Sequence, residues 1–168
     1  RLVQLHGTGR VKTLAKYAFT PVDSKIALSD SSSDQQQLMQ VVRELLTEAK
    51  ITTKNVAVNV PSQKVFTTVA DFDRLPPAEM AKTIRYQAYS MIPTPLSESK
   101  IDWALIGDSP SNKAKVEVLL SSVTNAFIEQ RLDMLESIGL NVIAFEPDSM
   151  ALARAVIAND ATTPQMAL

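Results

Sequence analysis

Residues 75–96, LPPAEMAKTIRYQAYSMIPTPL, decide how this chain is read. Met80, Ile84, Ala88 and Met91 recur at steps of four and three, which places them on one stripe of a helix. Pro76 and Pro77 fit only the helix start, where a missing N–H costs nothing. Glu79 then falls in the first turn, where the helix dipole favours an anion. Pro93 drives Ile92 out of the α region, and Pro95 forbids a restart. The spacing predicts a helix over Pro77–Met91, then a stiff Ile-Pro-Thr-Pro-Leu corner leading into a strand.

Outward from this helix the pattern alternates. Residues 65–72 read as a strand, and residues 101–106 as another with Ile101, Trp103 and Leu105 on one face. Residues 107–115 (GDSPSNKAK) are turn-rich, and residues 116–123 return as a strand. A helix over Asn125–Ser137 carries Ile128, Leu132 and Leu135, and Gly139 with Leu140 after it suits a left-handed C-cap. Residues 142–145 make a last strand. The order is β-α-β-β-α-β, a split βαβ unit expected to be compact between 65 and 147.

Upstream, residues 1–6 and 11–19 are β-prone runs joined by the hairpin signal His6-Gly7-Thr8-Gly9-Arg10. The chain opens as if in mid-strand, so the natural protein is expected to start further upstream. Residues 24–34 read as a polar surface loop. A helix follows from Ser33 or Asp34, with Gln36 or Gln37 available for a capping box and a stripe of Leu38, Val41, Val42, Leu45 and Ala49. Asn55–Val60 is a short strand stopped by Pro61-Ser62. Downstream, Asp148 or Ser149 caps a helix through Met150, Ala153 and Ile157. Residues 159–164 then read as a loop and 165–168 as the opening of a strand. The economical architecture is one α/β lobe formed by residues 1–64 and 148–168, with residues 65–147 inserted into it.

Composition narrows the function classes. A formal net charge of −1, with Lys12, Lys16, Arg43, Lys82 and Arg85 scattered, gives no electrostatic reason to expect nucleic acid. Cysteine is absent, which removes disulfides, thiolate catalysis and Cys-rich zinc sites. No run approaches the roughly 20 apolar residues of a membrane helix, so no direct membrane insertion is expected. His6 is the single histidine, so paired-histidine metal motifs cannot form, and no nucleophile elbow accompanies it. Asp71 and Asp73 could be paired carboxylates or metal ligands, but a polar strand end before the Pro-Pro helix start is the favoured reading. Glu146-Pro147-Asp148 is accounted for by a helix cap. Met80, Met91 and Met134 read as core. Tyr86 and Tyr89 fall off the buried stripe, and with Ile92, Pro93 and Pro95 they form an apolar ledge. The ledge either packs against the other lobe or receives a partner segment.

Five features in order resemble the PilM family, the cytoplasmic actin-like proteins of type IV pilus assembly. They are Val-Pro-Ser at Val60, Pro61 and Ser62; the helix ending Met91-Ile92-Pro93; Ile101-Asp102-Trp103; the closing Gly139-Leu140; and Glu146-Pro147 leading into Met150-Ala151-Leu152-Ala153-Arg154-Ala155. The resemblance implies an α/β, actin-like (ribonuclease H-like) half lobe carrying an inserted module similar to that of the cell-division protein FtsA. It implies a non-enzymatic scaffold, recruited to the cytoplasmic face of the inner membrane, that binds the cytoplasmic N-terminal peptide of the inner-membrane protein PilN. The expected groove lies between module and lobe, at Pro61, Ser62 and Val65 and the ledge of Tyr86, Tyr89, Ile92, Pro93 and Pro95. Relatives hold ATP, with Mg, between two Asp-x-Gly hairpins that this stretch lacks, so no cofactor is expected here and ATP binding is left to the full-length protein. Two other readings share the lobe: an FtsA-like cytoskeletal protein and a phosphotransferase of the sugar-kinase superfamily.

Overall fold

The computed structural model describes residues 1–7 and 12–156. Gly9, Ile157 and the expected loop and strand at 159–168 lie outside them. The described chain divides into two compact units, residues 1–59 with 129–146, and residues 60–128 with those from Pro147 onward.

In the first unit, β1 (Leu2–His6) and β2 (Thr13–Ala18) form an antiparallel hairpin with a register shift between Gln4 and Leu5. The segment expected as a loop contains a one-turn helix, α1 (Ser24–Leu28), because Asp23 caps it by accepting from the Lys25 N–H at 2.8 Å. The next helix, α2 (Ser32–Glu48), starts one residue earlier than expected. Its cap is Ser31, and Ser31 Oγ donates to the Asp34 carboxylate at 2.7 Å, so Asp34 rather than a glutamine completes the cap. The Asp34 carboxyl is held below its ordinary value by the Ser29 and Ser31 hydroxyls.

The unit's interior gathers around Met134, Leu135 and Leu140, with Leu38, Met39, Val42, Val56 and Val142 packed on them. Strand β3 (Asn55–Val60) contributes Val56 and Val58.

The second unit is built on a three-stranded antiparallel sheet of order β4-β6-β5, comprising β4 (Val65–Asp73), β5 (Ser99–Asp108) and β6 (Lys115–Thr124). Helix α3 (Pro77–Met91) has the bounds the prolines predict. Its stripe of Met80, Ile84 and Ala88 is buried, and its residues pack with Phe72, Val116, Val118 and Leu120 of the sheet. Trp103 joins this core, whereas Leu105 is 58% exposed. Trp103 and Leu105 keep one register, opposite Leu120 and Val118, and the shift comes only after Leu105, before Gly107.

Helix α4 (Asn125–Ser137) ends as expected. Gly139 has φ +80°, its N–H donates to Glu136 O at 2.9 Å, and Leu140 N–H reaches Leu135 O at 3.2 Å.

The chain order from β4 onward is the expected β-α-β-β-α-β, but the last strand joins a different sheet. Strand β7 (Asn141–Pro147) pairs with β3, not with β4-β6-β5. Val142 accordingly lies in the first unit's core, and the unit division falls inside α4. Helix α5 (Asp148–Val156), expected as a second layer for the N-terminal elements, groups instead with the second unit. There Asp148 accepts from Ser62, and Met150 sulfur from Ser121 at 3.9 Å. The period of a pattern predicts a strand, but not its neighbour.

Candidate partner-binding surface

Two proline-led turns lead into the second unit's sheet at the same end. Pro61 opens one 3-10 turn, Ser62–Lys64, which Lys64 N–H closes onto Pro61 O at 2.8 Å. Pro95 opens the other, Leu96–Glu98, closed by Glu98 N–H onto Pro95 O at 2.9 Å. Proline at φ near −60° pre-sets each turn. Cross-strand register fixes their placement, because Val65 and Lys100 are both partners of Val123 and Ser99 is partner of Thr124. With β6 between them, the starts of β4 and β5 are ~10 Å apart in the hydrogen-bonding direction.

Around that end, Ser62 Oγ donates to the Asp148 carboxylate, which draws the Asp148 carboxyl below its ordinary value. Lys64 Nζ lies 5.3 Å from the centroid of the Phe127 ring, a cation–π distance. Asn125 Nδ2 donates to Ser97 O at 2.9 Å. Asn125, Phe127 and Asp148 were not legible as parts of this end from the sequence, because each is brought here by β6 and the elements after it.

Tyr86 and Tyr89 are 85% and 76% exposed, three residues apart on α3, off the buried stripe. Pro93 and Pro95 are exposed, Ser62 is exposed, and Pro61 and Val65 are half-buried. Ile92 departs from the expected ledge. It is 6% exposed and its N–H closes the helix onto Ala88 O, so its side chain belongs to the interior. The other seven are exposed or half-buried. A cavity of about 330 Å³ in the first unit, lined by Asp30, Gln35, Met39, Gln130, Asp133 and Met134 among others, contains none of them.

Asp71 accepts from Ser109 Oγ and Ser111 Oγ, each at 2.9 Å, tying the β5–β6 loop to β4. No group of three or more His, Cys, Asp or Glu able to hold a metal occurs among the described residues. Gly107 sits in a strand, Gly139 caps a helix C-terminus beside Lys54, and neither opens a helix. No helix among the described residues is long and apolar enough to cross a membrane.

The model of the family described as "Type IV pilus assembly protein PilM" matches residues 1–167. The chain belongs to the PilM family. A solved structure of a "PilM-PilN type IV pilus biogenesis complex" superposes with a TM-score of 0.76 at 21% identity, over 90% of this chain and 45% of that one. The PilM fold, α/β and actin-like, is therefore the fold of this chain. The chain spans less than half the length of that relative. The cytoplasmic domain of EpsL, an inner membrane component of the type II secretion system of Vibrio cholerae, aligns at TM-score 0.46 and 16% identity. That alignment covers 67% of this chain and 44% of that domain, too slight a likeness to add to the assignment.

Proposed function

We propose that this chain is the part of a PilM scaffold that binds the N-terminal cytoplasmic peptide of a PilN-type inner-membrane protein. It would do no chemistry of its own. Binding would recruit it to the cytoplasmic face of the inner membrane and link PilN to the pilus assembly machinery. Membership of the PilM family supports the setting. The partner is supported by the solved relative, which is a complex of PilM with PilN. The observation that carries the reading is the pair Tyr86 and Tyr89, left 85% and 76% exposed on a helix whose other face is fully used. Large amphipathic rings held on a rigid element give contact area at little entropy cost, which is why aromatic residues anchor interfaces. The two proline-led turns are rigid, so binding there would order little further backbone.

Titration with a synthetic peptide from the PilN tail of the same organism tests this by NMR. Amide shifts are expected at residues 61–65 and 86–96, saturating with peptide. Unchanged spectra at high peptide excess would reject the reading.

A further inference from the structure

The cavity of about 330 Å³ lies wholly within the first unit, between the loop at Asp30, the first two turns of α2 and the middle of α4. No residue lining it carries a positive charge. Gln35 gives an amide N–H to Ser29 O at 2.6 Å, which fixes the orientation of the carboxamide and leaves its oxygen over. That oxygen is buried and accepts no hydrogen bond, and the same holds for the side-chain oxygen of Gln130. The carboxylates of Asp30 and Asp133 stand at the same cavity, and Met39 and Met134 supply apolar lining. Charge around it is one-sided. Residues 23–39 and 129–137 enclose it and carry Asp23, Asp30, Asp34, Glu129, Asp133 and Glu136 against Lys25 and Arg131. Arg131 is 8% exposed and donates to Ala27 O at 2.9 Å, with Asp30 as its counter-charge, so it does not offset Asp133. The N-terminus of α2 would by itself draw an anion, but the Ser31 hydroxyl and the Asp34 carboxylate already serve it.

We infer that this cavity takes a guanidinium group on a short apolar stem, its charge against Asp133 and its N–H donors on the carboxamide oxygens of Gln35 and Gln130. A guanidinium presents several N–H donors in one plane and no acceptor, which matches a site whose unmet groups are all acceptors. A buried acceptor without a donor is a standing cost to the fold, and an entering donor removes it. Solvent does not reach either oxygen as the side chains stand, so entry has to turn both of them. The methionine side chains give the stem an adaptable apolar wall. The volume is at the low end of ligand pockets, enough for one such group with its stem. A metal ion fits less well, because two carboxylates are few ligands and no group of three His, Cys, Asp or Glu occurs among the described residues. A small free guanidine and an arginine side chain of a partner share this chemistry. The inference is independent of the peptide surface, none of whose residues lines the cavity.

The test is an NMR titration of the isotope-labelled chain at low salt, followed at the side-chain amide signals of Gln35 and Gln130. The probes are propylguanidine, N-acetyl-arginine methylamide and the neutral isostere N-acetyl-citrulline methylamide. Both guanidines should shift the two signals and saturate, and the citrulline compound should bind about ten-fold more weakly or worse. Tighter propylguanidine makes a small free guanidine the occupant, and tighter capped arginine makes it a residue of a partner chain. Asp133→Asn, at an exposed position, should weaken both guanidines about five-fold, and the loss should shrink as salt is added. Gln130→Met should weaken them several-fold yet leave Tm unchanged, since the oxygen it removes has no partner in the fold. Signals that stay put at high guanidine concentration overturn the inference. So does equal binding of the citrulline compound, or of capped lysine, or an affinity unchanged in Asp133→Asn.

Discussion

Replacing Tyr86 and Tyr89 with alanine separates folding from recognition. Both rings are mostly in water in the folded chain, at 85% and 76% exposure. Truncation therefore removes little native contact, and alanine is the better helix former by a few tenths of a kcal/mol. The stability of each variant should stay within ~0.5 kcal/mol of the parent, or rise slightly. Recognition should respond differently. A tyrosine presents roughly 150–250 Å². If a partner covers half of it, about 100 Å² at 25 cal/mol/Å² sets an upper limit near 2.5 kcal/mol. Association costs leave about 1–2 kcal/mol per ring, a 5- to 30-fold rise in Kd. Calorimetric titration with the PilN-tail peptide, beside a urea melt of each variant, measures both quantities. Variants that fold normally and bind within two-fold of the parent would refute the assignment of this helix face to a partner.

Ile84→Ala should do the opposite. At 1% exposure in the core beneath the same helix, it should cost about 2–5 kcal/mol, and Tm should fall by roughly 5–15 °C in a calorimetric scan. Lys50 closes α2 at φ +53°, with its N–H on Thr47 O and Ile51 N–H on Leu46 O, the position that glycine occupies at 139 in α4. Lys50→Gly relieves that left-handed strain and should add about 0.5–1 kcal/mol in a denaturant melt. The Asp148 carboxyl is depressed chiefly by the Ser62 hydroxyl, so its contribution is whole above the ordinary aspartate value of 3.8 and is lost as pH falls through the lowered one. Carboxyl-detected NMR titration should show Asp148 returning toward 3.8 in Ser62→Ala. Calorimetry of ATP against this chain should give no micromolar affinity, and a micromolar dissociation constant would overturn that expectation.

What the sequence determined by itself was local. Pro76, Pro77 and Pro93 bounded α3 because the pyrrolidine ring forbids other conformations. Gly139-Leu140 closed α4 because a left-handed residue costs glycine least. The off-stripe tyrosines were legible from helical spacing alone. Tertiary structure decided the rest. The pairing of β7 with β3, the place of α5 beside Ser62 and Ser121, and the burial of Ile92 depend on which surfaces meet. A period of two says that a strand has a buried face, but the partner is chosen by residues some eighty positions away, such as Asn55 for Asn141. The place of β4 at the edge of its sheet, among the described residues, was hidden for the same reason, since an edge exists only once its sheet is ordered.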